Sequence, residues 1–143
     1  MNDQSIEKEI QAKGLTAPRV TPADIERNIA HEVYFTADDG VLGVASRGND
    51  AQQVFRADAI APSQSLQLLT FCVLVLRNGF TVTGESACAS PENFDAEIGR
   101  KIARQNAVNK IWPLMGYELK ARLATEEAVG RPPSWTPPPG YKV

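Results

Sequence analysis

Hydrophobic positions in the middle of the chain predict a β-hairpin. A long β-prone apolar run over 68–77 is followed by Asn78-Gly79 and then by a second β-prone run over 80–86. Asn-Gly supplies the two positive-φ residues of a type I′ turn, so the pattern predicts a hairpin closed by a two-residue turn. This hairpin is the strongest structural signal in the sequence.

The register of the hairpin determines which side chains share a face. A two-residue turn places Val75 opposite Val82, and side chains alternate between the faces along each strand. The predicted core face is apolar and consists of Phe71, Val73, Val75, Phe80 and Val82. The other face is half polar and is either partly solvated or an interface; it carries Cys72, Leu74, Leu76, Thr81, Thr83 and Glu85.

A capping signal predicts a helix ahead of the hairpin. Thr21 is a good N-cap and Pro22 fits the first helical position. Apolar residues then recur at intervals of four, so we expect a helix over 22–33. Glycines interrupt any periodicity over 41–65, which we interpret as a loop with room for one edge strand.

A second capping signal follows the hairpin. Ser90 as the N-cap and Pro91 as the first helical residue predict a long helix over 91–111. We expect Pro113 to end this helix, because proline cannot continue the backbone hydrogen bonds. Leucines four residues apart then predict a final helix over 117–128.

The 91–111 helix has two different stripes at helical spacing. The first is mainly apolar and suits packing on the sheet; it holds Phe94, Ile98, Ile102, Gln105, Asn109 and Trp112. The second consists of small residues, which let another backbone approach closely, so we expect a neighbouring helix or a second subunit to pack there. It holds Ala96, Gly99, Ala103 and Ala107.

These elements predict an α+β fold. We expect residues 1–130 to form a single domain in which helices pack around a small antiparallel sheet built on the hairpin. The sheet lies at about 68–86, and the helices lie near 22–33, 91–111 and 117–128. Residues 131–143 are proline-rich and predict an extended tail.

Composition and length restrict the class of protein. The chain has 143 residues, of which 43% are hydrophobic and 22% charged, as in one globular domain. No apolar stretch approaches the roughly 18 residues that span a bilayer, and the charged N-terminus is unlike a signal peptide, so we expect neither membrane insertion nor secretion. Two cysteines and one histidine are too few for a disulfide framework or a zinc site. The default is a cytosolic protein without metal or other cofactor.

Charge is distributed unevenly along the chain. Residues 1–99 hold 7 basic and 14 acidic residues, whereas residues 100–143 hold 8 basic and 3 acidic residues. This asymmetry either attracts an anionic partner or is neutralised by pairing of the two parts, within a monomer or between subunits. The net charge of −2 and the 7% aromatic content make nucleic-acid binding the least favoured function.

The residues offer little for catalysis. The sequence has no glycine-rich phosphate-binding loop ending in Lys-Ser or Lys-Thr. Cys88 lies just before a predicted helix start that would stabilise a thiolate, but its only histidine base, His31, would come from a distant element. We therefore expect no catalytic residues and no enzymatic activity.

Ligand binding is easier to derive from the junction between the hairpin and the long helix. A helix start presents free N–H groups to an anion, and basic side chains follow within three turns. The candidate ligand-binding residues are Ser86, Ser90, Asn93, Arg100, Lys101 and Arg104. The alternative is that Ser90 only caps its own helix and that the arginines pair with the acidic first two-thirds of the chain.

The same block carries a family resemblance. Its residues are the run 69–86, the segment 91–95, Ile98-Gly99-Arg100, Ala103, Ala107 and the segment 110–114. Over roughly residues 20–124 the chain resembles a functionally uncharacterised family of small tailed-phage and prophage proteins, named after phage gene products forty-nine and sixty-six. That family has an acidic residue before a Gly-Tyr pair where this chain has Met115, so no ligand-binding role is carried over to that turn.

The resemblance implies a phage-encoded accessory protein made in the host cytoplasm, and it carries over no catalytic residue. By analogy with small oligomeric phage proteins that counter host immunity, we expect a homo-oligomer with an anti-defence role. Its ligand would be a small anionic, nucleotide-derived molecule, such as a cyclic or ADP-ribose-type nucleotide, which it sequesters. The alternative is an interaction module that binds and inhibits a host protein through the half-apolar hairpin face or the proline-rich tail.

Overall fold

The fold is α+β, as the sequence predicts. A computed structural model describes residues 2–47, 63–130 and 139–140, so most of the tail lies outside the described residues. The helices are α1 (Asp3–Ala12), α2 (Pro22–Asn28), α3 (Ala37–Ala45), α4 (Ser63–Gln67) and α5 (Ala96–Gly130). The strands are β1 (Ile29–Thr36), β2 (Leu69–Leu76) and β3 (Thr81–Ala87). They form an antiparallel sheet in the order β1-β2-β3.

The predicted helix over 22–33 is wrong after its second turn. Thr21 caps α2 with a full capping box, as predicted, but the helix ends at Asn28. The chain then continues as β1, in which Val33 pairs with Val73. Most residues of β1 are β-branched or aromatic, and such residues favour strands over helices. The pairing of β1 with β2 therefore outweighs the helical spacing of its apolar residues.

The hairpin lies where the sequence predicts it, but its turn has three residues and not two. The Leu76 N–H donates to the Phe80 carbonyl at 2.8 Å, and the Gly79 N–H donates to the Leu76 carbonyl at 2.9 Å. Gly79 has a φ of 88°, whereas Asn78 has no positive φ and instead accepts the Phe80 N–H on its side chain. This is a turn followed by a glycine bulge, which shifts the register by one residue.

That shift corrects the predicted core face. Val82 opposes Leu74 and not Val75. The inner face of the sheet is therefore the even-numbered side of β2, where Cys72 and Leu74 are fully buried. The predicted core residues of β2 lie on the outer face, where Val33 of β1 is 48% exposed. We define the outer face as Val33, Phe35, Phe71, Val73 and Val75.

The small-residue stripe of α5 packs on the sheet, which corrects the prediction that it would receive another helix or subunit. Ala103 and Ala107 are fully buried against β3. At Gly84 the two backbones touch: a Cβ there would lie 2.0 Å from the Ala103 carbonyl oxygen and 2.4 Å from the Ala107 nitrogen. Ile98 and Ile102, predicted to face the sheet, are 55% and 48% exposed.

α5 begins later and ends later than predicted. Residues 91–93 form a single 3-10 turn without a side-chain cap from Ser90, and the Asp95 carboxylate accepts the Ile98 N–H at 3.0 Å. Pro113 lies inside the helix and does not end it. Its ring lies on an exposed side of α5, where water can bond to the carbonyl that the proline leaves without a donor.

α1 makes few buried contacts with the sheet and the other helices. None of its residues is buried, and Gly14 follows it with a φ of 68°. The indole N–H of Trp112 donates to the Asp3 carboxylate at 3.1 Å. Across the residues that the structure describes, no helix is both long enough and apolar enough to cross a membrane.

Candidate functional site

The six sequence-predicted ligand residues lie on several elements, and none of the clefts described below is lined by more than one of them. Ser86 lies in β3 opposite Thr70, and Ser90 and Asn93 belong to the 3-10 turn. Lys101 pairs with Glu97 at 3.2 Å, and both side chains are more than 70% exposed. Two of the six are joined, since the Asn93 N–H donates to the Ser90 carbonyl at 3.0 Å.

Arg104 is held by two carboxylates from the N-terminal part of the chain. Its Nη2 donates to Glu26 at 2.8 Å and to Glu32 at 2.7 Å, and its Nε donates to Glu32 at 2.9 Å. These bonds raise the pKa of Arg104 and lower the pKa of Glu32. Tyr34 donates its hydroxyl to Glu32, and burial followed by this bond raises the pKa of Tyr34 to about 12. Part of the charge asymmetry is therefore neutralised within the monomer.

This pairing makes a pH-dependent contribution to stability. The folded-state pKa of Glu32 lies below its unfolded value, so its contribution is present above an unfolded pKa of about 4.3 and is lost as pH falls through the folded value. We expect Glu32→Gln to lower the urea midpoint at pH 7, and the difference from the natural chain to shrink by pH 3. Glu97→Gln, which removes an exposed ion pair, is the control and should show little difference at either pH. A Glu32→Gln deficit as large at pH 3 as at pH 7 would contradict this assignment.

Arg100 lines a small cleft at the start of α5. The cleft has a volume of about 90 Å³, and its other lining residues are Tyr34, Phe35, Thr36, Thr70, Phe94 and Ala96. Small-molecule sites occupy roughly 300–1,000 Å³. This cleft is therefore too small for a nucleotide.

A larger cleft is lined by several basic side chains. It lies between α2, the hairpin turn and the second half of α5, and has a volume of about 390 Å³. Four arginines from separate segments line it: Arg19, Arg27, Arg77 and Arg122. We call it the arginine cleft. None of these residues was among the sequence candidates, since they lie far apart in the chain and no local motif connects them.

The remaining lining of the arginine cleft is mixed. Asp24 and Glu118 add two carboxylates, and Val20, Met115 and Leu119 add an apolar part. Asp24 bonds the neighbouring Thr21 N–H, which lowers the pKa of its carboxyl and commits one of its oxygens to capping α2. Arginine therefore outnumbers carboxylate in the lining.

Three of the four guanidinium groups have weak or partial partners. Arg27 pairs with Asp24 but is 70% exposed, and Arg122 stands 3.6 Å from Glu118 and is 65% exposed. Exposed ion pairs of this kind contribute little, so these side chains can turn to another anion at small cost. Arg77 donates its Nε to the Arg27 carbonyl, which orients its terminal nitrogens. Arg19 is the exception, because Glu7 binds both of its terminal nitrogens.

The possible nucleophile and base lie at opposite ends of the sheet. His31 pairs with Val75, whereas the Cys88 N–H bonds the Leu68 carbonyl. Those two partners are seven positions apart along the chain, which is roughly 23 Å at strand spacing. The Cys88 thiol donates to the Ser90 carbonyl at 3.2 Å. Within the described part of the chain, no group of three or more histidine, cysteine, aspartate or glutamate side chains could hold a metal ion.

The outer face leaves apolar side chains partly exposed. Phe35 and Phe71 stack there with ring centroids 5.6 Å apart, and Phe35 is 36% exposed. Such a surface suits a protein partner or a second copy of the chain. Homo-oligomerisation and binding of a host protein stay predictions.

Comparison with known proteins gives one match. The family model described as "Phage protein (N4 Gp49/phage Sf6 gene 66) family" matches residues 20–123. These residues include α2, the whole sheet and α5 as far as Leu123, but not α1. No curated protein and no solved structure matches the chain. The matched region covers most of the chain, and the chain therefore belongs to the phage N4 Gp49/phage Sf6 gene 66 family.

Proposed function

We propose that this phage protein is a non-enzymatic accessory protein that binds and sequesters a small anionic, nucleotide-derived ligand in the arginine cleft, with an anti-defence role in the host. The observation that carries the proposal is the convergence of four arginines from separate segments on one open cleft. An arginine cluster facing solvent with few strong partners is an electrostatic site for anions.

The chemistry of the cleft fits a phosphate-bearing ligand. The planar guanidinium group binds a phosphate through two parallel N–H donors, and Arg77 and Arg122 approach from different elements. The apolar part formed by Met115 and Leu119 offers a surface for a base. The volume of about 390 Å³ is in the range of small-molecule sites.

Two features favour binding over a reaction. His31 and Cys88 lie at opposite ends of β2, so they do not form a nucleophile and base pair. The arginines of the cleft do not act as general bases because they remain protonated, and its two carboxylates, Asp24 and Glu118, are each paired with an arginine. A ligand held by charge in such a cleft is sequestered without being consumed.

The test compares the arginine cleft with the cluster that the sequence predicted. The probe is ADP-ribose, which carries two adjacent phosphates, and its dissociation constant is measured by calorimetry. We expect Arg77→Gln combined with Arg122→Gln to weaken binding at least about tenfold, because each bond to a charged group contributes about 1.5–3 kcal/mol. Arg100→Gln combined with Lys101→Gln removes the same charge outside the cleft and should change affinity less than about twofold.

Two results would contradict the proposal. One is equal weakening by the two double variants, which would mean that net charge and not the cleft determines affinity. The other is a failure of the protein to bind any of three probes: ADP-ribose, inorganic pyrophosphate and a cyclic dinucleotide. A melting curve for each variant establishes that a lost signal is not caused by unfolding.

A further inference from the structure

α1 supplies a carboxylate to the edge of the arginine cleft. Glu7 accepts from Arg19 Nη1 at 2.5 Å and from Nη2 at 2.7 Å, which is a bidentate pair. The two side chains are 12% and 27% exposed, so this pair is better shielded than the other ion pairs of the cleft. The edge of the Arg19 guanidinium group formed by its two terminal nitrogens, one of those that could bind a phosphate, is already occupied by the chain itself.

Glu7 remains an effective partner at neutral pH. The bond from Arg19 is the largest influence on the Glu7 carboxyl and lowers its pKa, so the carboxylate stays charged. The reciprocal bond raises the pKa of Arg19. A ligand phosphate can therefore bind the Nη1/Nη2 edge of Arg19 only by displacing Glu7.

The attachment of α1 is suited to displacement. Ile6 is 42% exposed, and no residue of α1 is buried. A gap of about 250 Å³ remains between α1 and the body, lined mainly by Ile6, Ile10, Val20, Pro22 and Trp112. Elements with few buried apolar contacts open at low free energy. The family match begins at residue 20 and therefore does not include α1.

We propose that α1 is an intramolecular competitor for the arginine cleft: Glu7 occupies Arg19, and binding of a ligand phosphate releases both Glu7 and α1. This regulation rests on the proposed function of the same cleft. It follows that removal of the Glu7 charge increases ligand affinity, and that ligand binding loosens α1. Because competition is reciprocal, a docked α1 and a bound phosphate weaken each other.

The test measures ADP-ribose affinity in the full chain. Glu7→Gln should tighten binding about threefold or more, since a neutral amide competes less well for a guanidinium group. Glu9→Gln is the matched control: it removes the same charge from the same helix, but Glu9 pairs at 3.1 Å with Lys13, which is not a residue of the cleft. Its affinity should stay near that of the natural chain.

Two further measurements separate competition from a general effect of charge. In an Arg19→Gln background, Glu7→Gln should no longer tighten binding, because the contested group is gone. Hydrogen exchange of the α1 amides should speed up when ADP-ribose is added to the natural chain. Equal affinities of Glu7→Gln and Glu9→Gln, with ADP-ribose bound by the natural chain, would overturn this inference and leave the proposed function intact. Failure of both the natural chain and Glu7→Gln to bind would overturn the two together.

Discussion

Replacement of Gly84 by alanine is expected to destabilise the protein by about 3 kcal/mol or more. The added Cβ would lie 2.0 Å from the Ala103 carbonyl oxygen and 2.4 Å from the Ala107 nitrogen. Both are backbone atoms, so no side-chain rotation relieves the overlap and α5 must move away from the sheet. A domain of this size is stable by roughly 5–15 kcal/mol, so the loss is a large fraction of the total.

Urea unfolding of Gly84→Ala measures this effect, and Gly116→Ala is the control. Gly116 lies inside α5, and a Cβ there meets nothing within 4 Å. The same substitution should therefore stabilise the protein by about 0.5–1 kcal/mol, because alanine is the better helix former. A Gly84→Ala midpoint equal to that of the natural chain would mean that α5 and β3 do not approach as closely as described.

Replacement of Ile111 by alanine is expected to cost about 2–5 kcal/mol. The side chain is fully buried in the core between α5 and the sheet, and its truncation leaves a cavity that neighbouring side chains fill only in part. Chemical denaturation of Ile111→Ala measures the loss, which should appear in the midpoint without a change of slope.

The comparison with Ile98→Ala decides which stripe of α5 faces the sheet. Ile98 is 55% exposed, so the same truncation on the same helix should change the free energy of unfolding by less than about 1 kcal/mol. The apolar stripe expected from the sequence predicts the opposite order, with Ile98 the more costly position. A larger effect at Ile98 than at Ile111 would therefore restore that stripe and contradict the packing described above.

The hairpin illustrates how far local sequence signals reach. The two strands and their arrangement as a hairpin were predicted correctly, because β-propensity and the Asn-Gly turn signal act within a few residues. The turn length was not, since Asn78 keeps a negative φ and bonds the Phe80 N–H through its side chain. A shift of the register by one residue exchanges the two faces of β2. The wrong turn length therefore led to the wrong prediction of the core face.

The contacts of α5 depend on the sheet and not on the helix alone. Large apolar residues such as Ile98 and Ile102 look like the packing side of an isolated helix, yet they are about half exposed. The helix instead presents Ala103 and Ala107, because Gly84 in β3 removes the side chain that would hold the backbones apart. The fit between Gly84 and the two alanines can be recognised only when β3 and α5 are considered together.

The arginine cleft was beyond sequence reasoning for a similar reason. Arg27 and Arg77 are fifty positions apart and become neighbours only because β1 pairs with β2, which brings the end of α2 to the hairpin turn. Arg104, by contrast, was recognised as a basic side chain of interest, and the structure satisfies it with Glu26 and Glu32. The sequence shows which basic residues lie close together along the chain, whereas the pairing of the strands determines which basic side chains lie close together in the fold.

Because α5 continues through Pro113, one helix has two halves with different contacts. Its first half is clamped against β3 at Ala103 and Ala107, and its second half carries Arg122 to the wall of the arginine cleft. The place of Arg122 in that wall therefore depends on the continuation of the helix beyond Pro113. Substitutions in the exposed second half should therefore change the lining of the cleft at little cost in stability, whereas substitutions at Ala103 or Ala107 should unfold the molecule more readily.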